Sequence, residues 1–328
     1  MKKLINNSVF NASLDIMEAL DTPLALSVAI LIRYKEWDQI ANKSVNPKHY
    51  EQCEIDRFKR DYQAVSLLKK YQGLPTQVDP AQVAFNAFME CEAWCAATNP
   101  RFSSFIDDFF GGYVTSDSPQ ILGQLELARH FIRRTLRRLP DVPEGGFGKG
   151  STFEAEDRSA DIGLTAYDKI SEGWSSTVQW GDIEDAWLSQ TYLYKPLAER
   201  FPTKQWPTTR GNRYFQVPKD ARRNRSICIE PGANVYFQKG LGSAIRSRLR
   251  RINLNLDENQ ALHQELAKKG SRTGTIATID LSNASDSVCY GLVEYLLPPD
   301  WFSALVRYRS PFTRISKGPD VWLRNSKF

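Results

Sequence analysis

An aspartate behind a short β-branched run can hold a divalent cation, and residues 275–286 contain one. In Thr275-Ile-Ala-Thr-Ile-Asp-Leu-Ser-Asn-Ala-Ser-Asp286, four of the first five residues are β-branched and Gly274 precedes them. That pattern predicts a strand over 275–279, with Asp280 at its C-terminal mouth. Val288, Leu292, Val293 and Leu296 recur at helical spacing and predict a helix from about Ser285. Asp286 then falls near a helix N-terminus, where negative charge is favoured. A carboxylate so placed suits a metal, but an Asp ending a strand before a helix is most often a turn or cap residue, and on these residues alone both readings stay open.

A second set of residues points to phosphate. Arg210, Arg213, Lys219, Arg222, Arg223, Arg225, Lys239, Arg246, Arg248, Arg250 and Arg251 face only two acids, Asp220 and Glu230. Cations this concentrated repel one another unless a polyanion neutralises them, and the planar guanidinium fork suits phosphate oxygens. Tyr214–Val217 and Arg225–Ile229 read as strands, so 218–224 is a loop that projects cations. Beyond Pro231-Gly232 a helix is expected, with Val235, Leu241, Ile245 and Leu249 inward and Arg246, Arg248, Arg250 and Arg251 available to phosphate or nucleic acid.

The elements that must carry these groups are mostly helical. Ile55, Phe58, Tyr62, Val65 and Leu68 predict an amphipathic helix with Lys59, Arg60, Lys69 and Lys70 outward. Asp79-Pro80 is a cap followed by proline at the first helical position, opening a helix to about Cys95. Ser118-Pro119 repeats the signature and starts a helix ending in Arg133, Arg134, Arg137 and Arg138. Asp107-Asp108, inside an apolar run, reads as a cap or turn. A further helix is expected from Asp182, broken near Pro196, in a region holding Trp174, Trp180, Trp187 and Trp206.

Composition excludes more than it selects. The 328 residues are 41% hydrophobic and 12% aromatic, enough for two to three packed subdomains. With 43 Lys and Arg against 38 Asp and Glu, the net charge of +5 says less than its local concentration. Five scattered cysteines and three isolated histidines argue against a zinc site or a Ser-His-Asp triad. The Gly148-Lys-Gly-Ser-Thr152 stretch lacks the uninterrupted Gly-Lys-Ser/Thr of a phosphate loop. No apolar run is long enough to span a membrane and no secretory signal is seen, so a soluble protein is expected.

Val217-Pro-Lys-Asp-Ala-Arg-Arg-Asn-Arg-Ser-Ile-Cys-Ile-Glu-Pro-Gly232 and Thr278-Ile-Asp-Leu-Ser-Asn-Ala-Ser-Asp-Ser287 together resemble two motifs of one family. They are similar to the basic fingers motif and first palm motif of the RNA-dependent RNA polymerases of positive-strand RNA bacteriophages, the levivirus-type replicases. Leu296-Leu-Pro-Pro-Asp-Trp-Phe302 and Arg309-Ser-Pro311 match the family's next segment, so the resemblance covers about residues 209–311. It implies an α+β right-hand polymerase fragment: a mostly helical region over 1–208, a basic fingers element over 209–265, and the start of a palm over 266–328.

The roles it implies are specific. Asp280, with the Leu281 carbonyl, would bind two catalytic Mg²⁺ ions (Mn²⁺ as the alternative). Lys219, Arg222, Arg223 and Arg225 would meet the nucleoside triphosphate, and Asp286 the ribose of the incoming nucleotide. The implied partners are template RNA, host elongation factors Tu and Ts, and a small-subunit ribosomal protein, in the cytoplasm of an infected bacterium. The family continues into a second palm motif and a Gly-Asp-Asp hairpin, and neither occurs in these 328 residues. A truncated replicase unable to polymerise alone is therefore expected. The alternative is a non-catalytic RNA-binding protein that uses the basic strip.

Overall fold

The computed structural model describes residues 7–51, 54–111, 119–141, 145–148, 150–154, 173–183, 188–316 and 320–328, except the side chains of 104–111, 119 and 120. Two compact units divide the chain: Met1–Met89 with Phe215–Ile227, and Glu90–Tyr214 with Cys228–Phe328.

In the first unit, helices α1 (Asn7–Leu20), α2 (Pro23–Arg33), α3 (Trp37–Asn42) and α4 (Ile55–Leu67) enclose one core. Local chemistry starts α2: Thr22 Oγ1 accepts the Ala25 amide at 3.0 Å and Pro23 occupies the first helical position. Buried Phe10, Met17, Val28, Ile32, Ile40, Val65 and Leu68 fill the interior. The inward face of α4 differs from the expected one. Ile55 and Tyr62 stand 53% and 58% exposed, whereas Asp61, Ala64 and Val65 are buried. Asp61 tolerates burial because Thr22 Oγ1 and Tyr50 Oη (2.7 Å) both donate to it. Two hydroxyls from distant segments thus decide which stripe of α4 turns inward.

Helix α5 (Pro80–Gly111) begins where Asp79 Oδ1 accepts the Ala81 amide at 2.8 Å. It runs past Cys95 to Gly111, with Pro100 inside it. The acidic pair Asp107-Asp108 is therefore helical rather than a cap or turn, and its side chains lie outside the described residues.

The second unit continues with α6 (Pro119–Leu136), α7 (Tyr194–Arg200), α8 (Gly232–Arg250), α9 (Asn259–Thr273), α10 (Tyr290–Leu296) and α11 (Pro299–Tyr308). Arg137 and Arg138 fall beyond the end of α6, Arg137 at a φ of +54°. Trp180–Asp182 is a single 3₁₀ turn, and the helix expected from Asp182 falls partly on residues 184–187, outside those described. Pro196 lies in the first turn of α7, where its missing amide costs no helical bond. Strands β1 (Gly211–Val217), β2 (Arg225–Ile229), β3 (Phe312–Arg314) and β4 (Trp322–Arg324) form a sheet in the order β2-β1-β3-β4. Gly211 pairs with Phe312 in the parallel β1–β3 ladder, and Phe312 with Arg324 in the antiparallel β3–β4 ladder.

Trp174, Trp180 and Trp206 pack with Tyr236, Phe237, Leu241 and Tyr308 in the core beneath α8. Trp187 lies outside the described residues. Of the four residues expected inward on α8, Leu241 is fully buried; Val235, Ile245 and Leu249 are half-buried, because Tyr236 and Phe237 take the interior. Asn234 is buried with its amide satisfied by Ser176, Thr177 and the Tyr308 carbonyl.

Glu230, in the second unit, accepts bonds from Asn212 Nδ2 (2.6 Å), Ser310 Oγ (2.6 Å) and Gln238 Nε2 (3.3 Å). Burial outweighs those donors and raises its pKa above the ordinary carboxylate value. A raised folded-state pKa means that the folded state holds the proton more tightly than the unfolded chain. Glu230 therefore contributes stability below its unfolded pKa and loses it as pH rises through the folded one. Glu230→Gln, which keeps the size and removes the charge, should raise the melting temperature by a few degrees at neutral pH. That gain should vanish in acid, and a pH series of thermal melts on both forms checks it.

Candidate functional site

The loop between β1 and β2 has a fixed shape. Asp220 Oδ1 accepts the amides of Arg222 (2.9 Å) and Arg223 (3.0 Å), closing a turn on its own side chain. Ala221 is buried; its amide donates to the Lys69 carbonyl at 3.0 Å, and its carbonyl accepts Thr76 Oγ1 at 3.2 Å. Asn224 donates its amide to the Pro80 carbonyl and its Nδ2 to Gln216, each at 3.0 Å. Pinned at Ala221 and Asn224, the loop presents Lys219 and Arg225 exposed, with Arg222 and Arg223 half-buried.

Arg222 Nη1 donates to Asn42 Oδ1 at 3.1 Å, which fixes the direction of that guanidinium. Lys69, expected to face solvent, is instead half-buried beside this cluster. Burial and then the neighbouring Arg222 lower its pKa, against the opposing Asp220. Backbone contacts thus hold Lys69 and the loop cations close together. A lone Leu-Leu-Lys-Lys stretch gives no sequence signal for Lys69, whose place depends on Ala221 docking 152 positions later in the chain.

The segment around Asp280 departs from expectation. Residues 275–281 form no strand and are exposed except for half-buried Ile276; Ile279 and Leu281 stand 84% and 68% exposed. Gly274, at a φ of +66°, ends α9 in the left-handed conformation, and Gly270 has no Cβ to block the Ile276 carbonyl, which would lie 2.5 Å from it. The β-branched run therefore folds back on α9. A strand also needs a ladder partner, and no described segment offers one to 275–279. The expected helix start at Ser285 is a single 3₁₀ turn, Ser285–Ser287, with α10 beginning at Tyr290.

Asp280 is exposed, and among the described residues its side chain enters no hydrogen bond or ion pair. No three of His, Cys, Asp and Glu come together among those residues in a metal-holding group. The Asp280 carboxylate and the Leu281 carbonyl fall short of the six oxygens of a magnesium shell, so the described residues do not by themselves form a metal pair.

Asp286 is tied elsewhere: Lys327 Nζ donates to its Oδ1 at 3.0 Å and lies 3.5 Å from Glu92 Oε1. Neither Lys327 nor Glu92 carries a motif that sequence reading could have found. On α8, Arg246 (3.2 Å) and Arg250 both pair with Asp257, and Arg248 donates to the Arg138 carbonyl at 3.2 Å. Arg251 is exposed. Arg250 beside Asp257 holds its carboxyl below the ordinary carboxylate range.

Comparison with known proteins gives a consistent result. The RNA-directed RNA polymerase subunit beta of Escherichia virus Qbeta is 32% identical over 273 residues, covering 81% of this chain and 43% of that protein. The corresponding subunit of Enterobacteria phage SP is 30% identical over 258 residues, 78% of this chain and 42% of that one. The RNA-directed RNA polymerase beta chain of Enterobacteria phage GA is 48% identical over a shorter 131 residues. The chain spans less than half the length of these relatives. A family model described as RNA replicase, beta-chain matches residues 10–324, so the chain belongs to that family.

Proposed function

We propose that this chain supplies the nucleotide-gripping fingers and the first palm segment of an RNA-directed RNA polymerase that copies a phage genome. The observation that carries the reading is the pinned β1–β2 loop, whose Lys219, Arg222, Arg223 and Arg225 form a ready-made cradle for a triphosphate. Such cations stabilise the charge that develops on a transferring phosphoryl group. Asp286 reads the ribose, and Arg246, Arg248, Arg250 and Arg251 hold RNA phosphates. Asp280 and the Leu281 carbonyl belong to a Mg²⁺ centre (Mn²⁺ as the alternative) that needs further carboxylates. RNA and nucleoside triphosphates are the partners this reading requires; elongation factors Tu and Ts, a small-subunit ribosomal protein and a cytoplasmic setting enter through resemblance alone. No described helix is long and apolar enough to cross a membrane.

The purified 328-residue chain tests the reading directly. It should bind single-stranded RNA with a log–log salt slope of about −3 if Arg246, Arg248, Arg250 and Arg251 neutralise phosphates. It should also bind nucleoside triphosphates in competition with pyrophosphate, and incorporate no nucleotide on a primed template. A flat salt dependence would remove the phosphate-binding reading; template-dependent incorporation would refute the requirement for further carboxylates.

A further inference from the structure

We infer that Lys327 is a positioning residue for Asp286, fixing the carboxylate that meets the ribose and so setting discrimination between ribo- and deoxyribonucleotides. The inference rests on the proposed role of Asp286. Lys327 Nζ stands 3.0 Å from Asp286 Oδ1 and 3.5 Å from Glu92 Oε1, with only 11% of its side chain exposed. An ammonium taken this far out of water needs compensation, and the two carboxylates supply it.

The surrounding backbone is fixed on both sides of the pair. Glu92, itself buried on α5, accepts the Ser326 amide at 2.7 Å and the Lys327 amide at 3.4 Å through Oε2. Asn99, about two turns further along α5, donates to the Ser326 carbonyl at 3.0 Å and accepts the Gly291 amide at 2.8 Å. Tyr290 donates its amide to the Ser326 carbonyl, and Phe328 donates to Val288 at 2.8 Å, so 326–328 runs alongside 288–290. Cys95 Sγ reaches the Asp286 carbonyl at 3.6 Å.

The asymmetry of the pair assigns the roles. Asp286 keeps 35% of its side chain exposed and can meet a ligand, whereas Lys327, 11% exposed, is enclosed between Asp286 and Glu92. Without the ammonium, Glu92 and Asp286 would be two carboxylates with their shared cation gone, and Asp286 would turn towards water. A carboxylate that must accept a hydroxyl proton at one position loses its selectivity when its orientation is lost.

The test uses a chain extended to the length of its relatives and measures the ratio of kcat/KM for a ribonucleotide to that for its deoxy analogue. Lys327→Met should lower the ratio about tenfold, the scale of one charge-assisted hydrogen bond. Lys327→Arg should retain most of it, and Asp286→Ala should lose it with no further loss on adding Lys327→Met. If Asp286→Ala lowers the ratio while Lys327→Met leaves it unchanged, the inference fails and the ribose reading stands. If Asp286→Ala has no effect, the ribose reading fails and takes the inference with it. Should Lys327→Met not fold, Lys327→Arg decides: a loss of selectivity at unchanged melting temperature overturns the role of the charge, and retention supports it.

Discussion

Asp280→Ala, made in a chain of the relatives' full length, should abolish template-directed synthesis, by about 10³-fold or more, as expected when a group stabilising transition-state charge is removed. Affinity for RNA should be unchanged, because a carboxylate contributes nothing to gripping phosphates. The competing explanation is that Asp280 serves as a turn residue. A turn residue would accept nearby amides, yet the turn after it is closed by Ser287, whose amide donates to the Asn283 carbonyl and whose hydroxyl donates to Ala284. Asp280 takes no part in it and is exposed. Its replacement should therefore shift stability by no more than about 0.5 kcal/mol. Thermal melts run beside the synthesis assay separate the outcomes. Lost synthesis at an unchanged melting temperature supports the chemical role, and a joint loss of both returns Asp280 to a structural one. A protein that only binds RNA has no synthesis to lose.

What the sequence revealed and what it hid follow one physical division. The β1–β2 hairpin, its cationic loop and the Asp79-Pro80 start of α5 depend on neighbours a few residues apart, so alternation, turn residues and caps expose them. The run 275–279 misled because β-branching records fitness for a pleated surface and not the presence of a second strand to pair with. Gly270 and Gly274, which turn that run back on α9, are ordinary in sequence and decisive in space. The Asp286–Lys327 pair spans 41 positions, and Glu92 approaches from a separate helix, so no local pattern could join them. Arg246 and Arg250 look unpaired within the basic strip 210–251 because their acid, Asp257, follows it in the chain. Asp61 shows the same limit in a core: its hydroxyl partners, Thr22 and Tyr50, precede it by 39 and 11 residues.

Within the loop, the structure separates two arginines that sequence alone treats alike. Arg225 is exposed at the start of β2, whereas Arg222 is half-buried and bonded to Asn42. Arg225→Ala should raise the KM for nucleoside triphosphate about 10- to 100-fold, the range for losing a hydrogen bond between charged partners, with the melting temperature unchanged. Arg222→Ala should raise KM and also lower stability, since it removes the contact to Asn42 along with the charge. Arg225→Lys should recover only part of the loss, because a single ammonium lacks the two-pronged donor geometry of guanidinium. The preformed loop sharpens this contrast: with Asp220 and Ala221 holding the backbone, little ordering entropy is spent on binding, and the lost contact appears almost entirely as lost affinity. Steady-state kinetics over nucleotide concentration, paired with an RNA titration, distinguish the two anions this loop could serve. A rise in KM with RNA affinity intact marks a triphosphate cradle. Weakened RNA binding with KM unchanged would reassign the loop to the template backbone and leave the triphosphate to other cations.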